Sequence, residues 1–258
     1  MPSNIATSSL LLTLSIVFSA SALAQGERTT AVDAPATAKI IIWRGSPILC
    51  MAQPTYTDCS DERTFGELHN AALRATFGPR PGTGQTARRP DARVPTVSII
   101  TNRLDTWMAS SPVMATQRGL PLTQQIIGQF QAAGVVDRDG RFSRAALGDP
   151  VRVIAYLETS GRVSTTLATT LRELYSRNAP ASEWRDTLRR GRWVGRDRLA
   201  AAIIADVMNS SFVYWGASAS RATGLWDALG TLLTLESGPG AIIGGVVMSA
   251  ASCWCMDF

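Results

Sequence analysis

From Pro121 to the C-terminus, apolar residues recur at three- and four-residue spacing, and this pattern constrains the fold more than any other feature. Several stripes begin at residues that start helices, such as Asp149-Pro150 and Ser164. Gly134 follows the first stripe, as expected of a helix end. The sequence therefore predicts a mainly α protein, with six or seven short helices packed as an irregular bundle.

The N-terminal portion has a different pattern. Lys39 to Trp43 predicts a short β-strand ended by Gly45 and Pro47, and residues 60–77 predict a helix capped by Ser60. Residues 78–95 contain four prolines and three glycines and are typical of a loop or linker. Val97 to Ile100 predicts a second short strand. The predicted organisation is a strand–helix segment at 25–77, a linker at 78–95 and a helical domain at 96–258.

The first 24 residues are typical of a signal peptide. An apolar run from Leu10 to Ala20 precedes Ala22-Leu23-Ala24, a small-x-small cleavage pattern before Gln25. The run is shorter than the roughly 20 residues that span a bilayer. Because no Lys or Arg precedes it, a retained membrane anchor stays as the alternative. We expect a periplasmic or secreted bacterial protein.

Four cysteines, Cys50, Cys59, Cys253 and Cys255, predict disulfides in an oxidising compartment. Three connectivities are possible. A local Cys50–Cys59 bridge is slightly favoured, although a Cys253–Cys255 bond would then close a strained ring. The alternative ties the C-terminus to the N-terminal portion.

His69 is the only histidine, and this excludes multi-histidine zinc sites. With the cysteines expected to be oxidised, we predict no metal site and no cofactor. His69 lies near Glu67 on the predicted helix and is expected to be partly exposed. The chain is expected to be non-enzymatic. The alternative is a secreted peptidoglycan-cleaving enzyme or toxin with Glu67 as general acid.

Residues 135–146 resemble the middle of an EF-hand loop, with Asp137, Asp139 and Gly140 at suitable positions. Val135 and Ala146 occupy the first and last ligand positions, where calcium needs oxygen ligands. The segment therefore predicts an Asp-Gly turn between helices.

The segment from Trp184 to Arg198 holds six arginines and two tryptophans, in a chain of formal net charge +5. This mixture predicts binding of an anionic envelope polymer or headgroup through Arg189, Arg190, Arg192 and Trp193. The plainer alternative is a solvated helix–turn–helix edge whose tryptophans face the core.

The last apolar segment, Gly238 to Cys255, predicts a buried terminal helix or strand, with peripheral membrane contact or partner docking as alternatives. Together these features favour a non-enzymatic exported protein that binds an envelope protein or anionic envelope polymer, as an accessory of an assembly or secretion apparatus. A helical carrier of a small apolar ligand is a third candidate. Nothing in the sequence indicates a nucleic-acid partner.

Overall fold

A small antiparallel sheet begins the part of the chain described by the computed structural model, which covers residues 37–52, 57–59, 63–79, 96–111, 114–115, 119–216 and 220–255. Its strands are β1 (Thr37–Trp43), β2 (Ser46–Ala52) and β3 (Thr57–Asp58), paired in that order. The predicted signal peptide, the alternative anchor and most of the predicted linker lie outside the described residues.

The described residues also form ten α-helices, so the mainly α fold with a small β-containing N-terminal portion is confirmed. They are α1 (Phe65–Phe77), α2 (Val97–Ser110), α3 (Leu120–Ala132), α4 (Arg144–Leu147), α5 (Pro150–Thr159), α6 (Thr165–Ser176), α7 (Ala181–Arg190), α8 (Gly195–Trp215), α9 (Ser220–Leu233) and α10 (Gly240–Cys255).

Side-chain caps fix several helix starts. Asp149 and Ser164 accept hydrogen bonds from the backbone N–H groups three residues ahead, as their sequence positions predict. The helix predicted at 60–77 instead begins at Phe65. There Thr64 and Glu67 form a reciprocal capping box, with Glu67 Oε2 2.7 Å from the Thr64 nitrogen.

The strand predicted at Val97 to Ile100 is wrong, because these residues form the first turn of α2. Thr96 caps this helix by accepting a hydrogen bond from Ile99 N–H. Val97, Ile100, Leu104 and Met108 are all buried, and their spacing places them on one helical face. Burial of that face outweighs the β-preference of the Val-Ser-Ile-Ile segment.

The sequence analysis also did not predict β2, which pairs with β1 across a two-residue turn at Arg44 and Gly45. Trp43 and Ser46 flank the turn, so the next pair, Ile42 and Pro47, falls at a position without hydrogen bonds between the strands. The missing N–H of Pro47 therefore removes no bond to β1.

One disulfide joins Cys50 in β2 to Cys59, which confirms the local bridge. Cys253 is a free thiol, and the side chain of Cys255 lies outside the described part. Cys253 therefore forms no disulfide, although the sequence predicted one for the C-terminal cysteines.

The α9–α10 hairpin lies at the centre of the helical core. A Cβ atom on Gly244 would lie 2.7 Å from the Gly230 carbonyl oxygen, so the two backbones touch where only glycine fits. Side chains 241–252 are buried, which confirms the predicted buried terminal helix. No described helix combines the length and apolar character needed to cross a membrane.

Candidate functional site

A cleft of about 410 Å³ opens between the β1–β2 turn and the corner where α7 leads into α8. We call it the arginine cleft, and it is lined, among others, by Ile42, Arg44, Arg189, Trp193, Arg198 and Asp206. Arg198 and Asp206 lie eight residues apart on α8 and so share one helical face. The cleft therefore joins the N-terminal hairpin to two helices far along the chain.

The three arginines of the cleft form no salt bridge within the described ranges. Arg44, Arg189 and Arg198 make no salt bridge with any carboxylate among the described residues. Elsewhere guanidinium groups are paired, as in the contact between Arg172 and Glu158. The fold thus concentrates permanent positive charge around the cleft.

Asp206 is the one carboxylate residue among the described residues that line the cleft. Its Oδ2 accepts a hydrogen bond from Gly66 N–H at 2.5 Å, which ties α8 to the first turn of α1. Burial raises the pKa of Asp206, while the hydrogen bonds from Gly66 and Thr64 and the charge of Arg189 act in the opposite direction. Asp206 therefore offsets at most one of the three cationic charges.

Arg44 occupies an unusual backbone position at the rim of the cleft. Its φ of 48° and the φ of 83° at Gly45 make a left-handed two-residue turn, where Asn, Asp or Gly is usual. For an L-residue with a long side chain this conformation costs about 1 kcal/mol. A strained residue that carries a charge at a cleft is a candidate functional residue.

Trp193 forms a fixed side of the cleft. Its indole Nε1 donates a hydrogen bond to the Leu188 carbonyl oxygen at 2.8 Å. A Cβ atom on Gly191 would lie only 2.3 Å from that nitrogen, so the indole packs directly on the glycine backbone. The indole presents an apolar face, because its N–H group is already bonded.

The structure places the four residues predicted to bind in two different surroundings. Arg189 and Trp193 line the cleft, whereas Arg190 and Arg192 do not. Arg190 extends into solvent with its guanidinium 3.9 Å from Asp186 Oδ2, and Arg192 is exposed. Trp184 faces the core, so the solvated-edge alternative describes part of this segment correctly.

A second constellation, which we call the buried polar cluster, lies between α1, α8, α9 and α10. It consists of His69, Ser210, Ser211, Asp227 and Ser249. His69 Nδ1 lies 3.2 Å from Ser210 Oγ, and its Nε2 lies 3.6 Å from Asp227 Oδ2. Ser211 Oγ donates to the same carboxyl oxygen, and His69 and Asp227 are fully buried. The expectation of a partly exposed histidine is wrong.

Burial disfavours charge on both titratable groups of this cluster. It lowers the pKa of His69 to about 3. It raises the pKa of Asp227 well above its usual value, although the Ser249 hydrogen bond acts the other way. Burial therefore favours the uncharged form of both the imidazole and the carboxyl group.

The order serine, histidine, aspartate is that of a nucleophilic triad, but this cluster does not support that chemistry. Its imidazole is fully buried, so a substrate does not reach it. An imidazole whose pKa is about 3 is also a poor base at neutral pH. Burial raises the pKa of the Cys253 thiol to about 12, which keeps it unreactive.

The other residues considered for chemistry are engaged in local structure. Glu67, the proposed general acid, is exposed and serves the α1 capping box. Asp137 Oδ1 accepts hydrogen bonds from the N–H groups of Asp139 and Arg141, which confirms the predicted turn. No group of three or more His, Cys, Asp or Glu side chains within the described ranges is arranged to hold a metal ion.

The sequence analysis predicted neither the arginine cleft nor the buried polar cluster as a complete site. One signal was present for the buried cluster: Asp227 interrupts the apolar stripe of α9, and a carboxyl group there needs a buried partner. Arg44 lies near Arg189 and Arg198 because the hairpin packs on α8, and no local sequence pattern predicts that packing.

Searches of protein-family models, curated proteins and solved structures found nothing that matches this chain.

Proposed function

We propose that this chain is a non-enzymatic exported protein that binds an anionic partner in the cell envelope through the arginine cleft. The observation that carries the proposal is the set of three arginines that line one cleft and make no salt bridge within the described part of the chain. Guanidinium groups attract and orient anions. An accessory role in an assembly or secretion apparatus is the setting we favour.

Two further observations support parts of this proposal. The Cys50–Cys59 disulfide favours export, because disulfides persist mainly in oxidising compartments. The burial of His69 leaves the peptidoglycan-cleaving alternative without an accessible imidazole, and the Glu67 carboxylate already serves the α1 capping box.

The proposal can be tested by crosslinking from inside the cleft. A photoreactive amino acid placed at Ser46, which lines the cleft, should capture the partner in intact cells. The same amino acid at Ser176, an exposed position on α6 that does not line the cleft, is the matched control.

We expect an envelope-associated adduct from position 46 that disappears when Arg189→Gln is added. Protease and lipid extraction of the adduct then tell a protein partner from a polymer or a lipid. Equal adducts from both positions, or an adduct that survives Arg189→Gln, would show that the cleft is not the binding site.

A further inference from the structure

The charge balance of the arginine cleft limits what it can bind, given the proposed function on which this inference rests. Arg44, Arg189 and Arg198 each carry a positively charged guanidinium group. Asp206 offsets at most one of these charges, and its carboxyl group is already bonded to Gly66 N–H. Two or three positive charges therefore remain for the ligand, more than a single carboxylate balances.

The three arginines that line the cleft also belong to different elements. Arg44 belongs to the β1–β2 turn, Arg189 to the end of α7 and Arg198 to the first turn of α8. A carboxylate offers two oxygens in one plane. A phosphate monoester offers three terminal oxygens in a tetrahedral arrangement and carries a charge of about −1.5 to −2 near pH 7.

The remainder of the cleft is suited to an organic group that bears this phosphate. Ile42 and Leu188 contribute apolar surface, and Trp193 adds its indole face. The volume of about 410 Å³ lies within the range of small-molecule sites and exceeds what a bare phosphate fills.

We infer that the arginine cleft binds a phosphate monoester carried on a small organic or lipid group, with Arg44, Arg189 and Arg198 holding the phosphate oxygens. Trp193 and Ile42 contact the group to which the phosphate is attached. Monoanions, including carboxylates and sulfate esters, are bound more weakly.

Three probes with the same phenyl ring test this selectivity: phenyl phosphate, phenyl sulfate and benzoate. Calorimetric titration at pH 8 should show phenyl phosphate binding at least about tenfold more tightly, the effect of one added charge-assisted hydrogen bond. At pH 5 its advantage over phenyl sulfate should shrink, because the phosphate regains a proton near pH 6.

The ratio between probes is the informative quantity. Protonation of Asp206, the titratable carboxyl group among the cleft-lining residues, would strengthen the binding of all three anions together. Equal affinities for the three probes at pH 8 would overturn the inference.

Variants locate the binding. Arg44→Gln and Arg198→Gln should each weaken phenyl phosphate binding by about tenfold. Arg192→Gln, an exposed neighbour that does not line the cleft, should leave the affinity unchanged. Equal losses in all three variants would mean that the net charge, and not the cleft, binds the probe.

Two further probes separate the sources of such a ligand. Binding to vesicles that contain phosphatidic acid, but not to vesicles of phosphatidylglycerol, assigns the monoester to a lipid headgroup. Binding to glucose 6-phosphate alone assigns it to a soluble ligand, and binding to neither overturns the inference.

Failure of the inference can be told from failure of the proposed function. An Arg189-dependent crosslink from position 46 without a preference for phenyl phosphate would keep the function and reject the phosphate. A clear preference for phenyl phosphate without any envelope crosslink would do the opposite.

Discussion

The arginine cleft and the buried polar cluster treat charge in opposite ways. In the cleft, three guanidinium groups keep their full charge at the surface and have no carboxylate partner among the described residues. In the cluster, His69 and Asp227 lie fully buried against each other, and burial favours their neutral forms. The comparison separates polar groups that hold the fold together from those left available to a ligand.

The two regions should therefore respond differently to substitution. A buried pair that loses one partner leaves an unsatisfied polar group in the core. A surface arginine that becomes glutamine leaves a solvated side chain of similar length. We expect the cluster to govern stability and the cleft to govern binding.

The largest effect is expected from Asp227→Ala. It leaves the buried Ser211 hydroxyl without its acceptor and His69 without its facing carboxyl group, so the free energy of unfolding should fall by about 1 to 3 kcal/mol. Urea denaturation measures this change. In the control Asp139→Ala, which breaks an exposed pair with Arg141, the denaturation midpoint should stay in place. Similar midpoints for the two variants would contradict the structural role of the cluster.

The next prediction concerns pH. The folded pKa of His69 lies below its usual 6.5, so the stability that His69 contributes is present above pH 6.5 and is lost as pH falls toward 3. The folded pKa of Asp227 lies above its usual 3.8, so its contribution is present below pH 3.8 and is lost as pH rises through the folded value. The pair together should give a stability maximum between the two losses.

Denaturation across pH in two variants tests this assignment. His69→Gln should flatten the acid side relative to the original chain, and Asp227→Asn should flatten the alkaline side. Cys253 stays neutral across this range because its thiol pKa is raised to about 12. Unchanged pH profiles in both variants would contradict the assignment of these two losses to His69 and Asp227.

A smaller effect is expected from Gly191→Ala at the cleft. The added methyl group would displace the Trp193 indole from the Leu188 carbonyl oxygen and cost about 1 kcal/mol. The indole N–H signal of Trp193 in an NMR spectrum should shift, and phenyl phosphate binding should weaken. Gly128→Ala on α3, where nothing lies within 4 Å of the new Cβ, is the control and should not weaken binding. An unshifted Trp193 signal would show that the indole does not depend on Gly191.

The smallest effect is expected from Glu67→Gln. Gln serves the capping box as Glu does, so the free energy of unfolding should change by less than about 0.5 kcal/mol. The same variant tests the enzymatic alternative. Release of soluble fragments from isolated peptidoglycan by the original chain, abolished in Glu67→Gln, would contradict a non-enzymatic role.

Local signals predicted the parts of the fold that depend on local energetics. Asp149 and Ser164 cap helices because a short polar side chain satisfies free N–H groups wherever a helix begins. The strand predicted at Val97 to Ile100 failed because burial of one helical face decides that segment. A β-propensity of a few tenths of a kcal/mol per residue is smaller than the free energy gained by burying that face.

The candidate site was predictable only in part. Arg189 and Trp193 were found because they share a basic and aromatic segment. Arg44 joins them only because the missed strand β2 turns the hairpin back and packs it on α8. His69 was expected on a helix near Glu67, but its burial depends on three other helices that the sequence pattern could not bring together.

The most direct test of the account compares Arg189→Gln with Arg190→Gln in envelope fractions washed with increasing salt. The two residues are neighbours on α7 and carry the same charge, but only Arg189 lines the cleft. The account predicts that Arg189→Gln is released at lower salt than the original chain, while Arg190→Gln is retained like it. Equal release of the two variants, or no change in either, would contradict the cleft as the binding site.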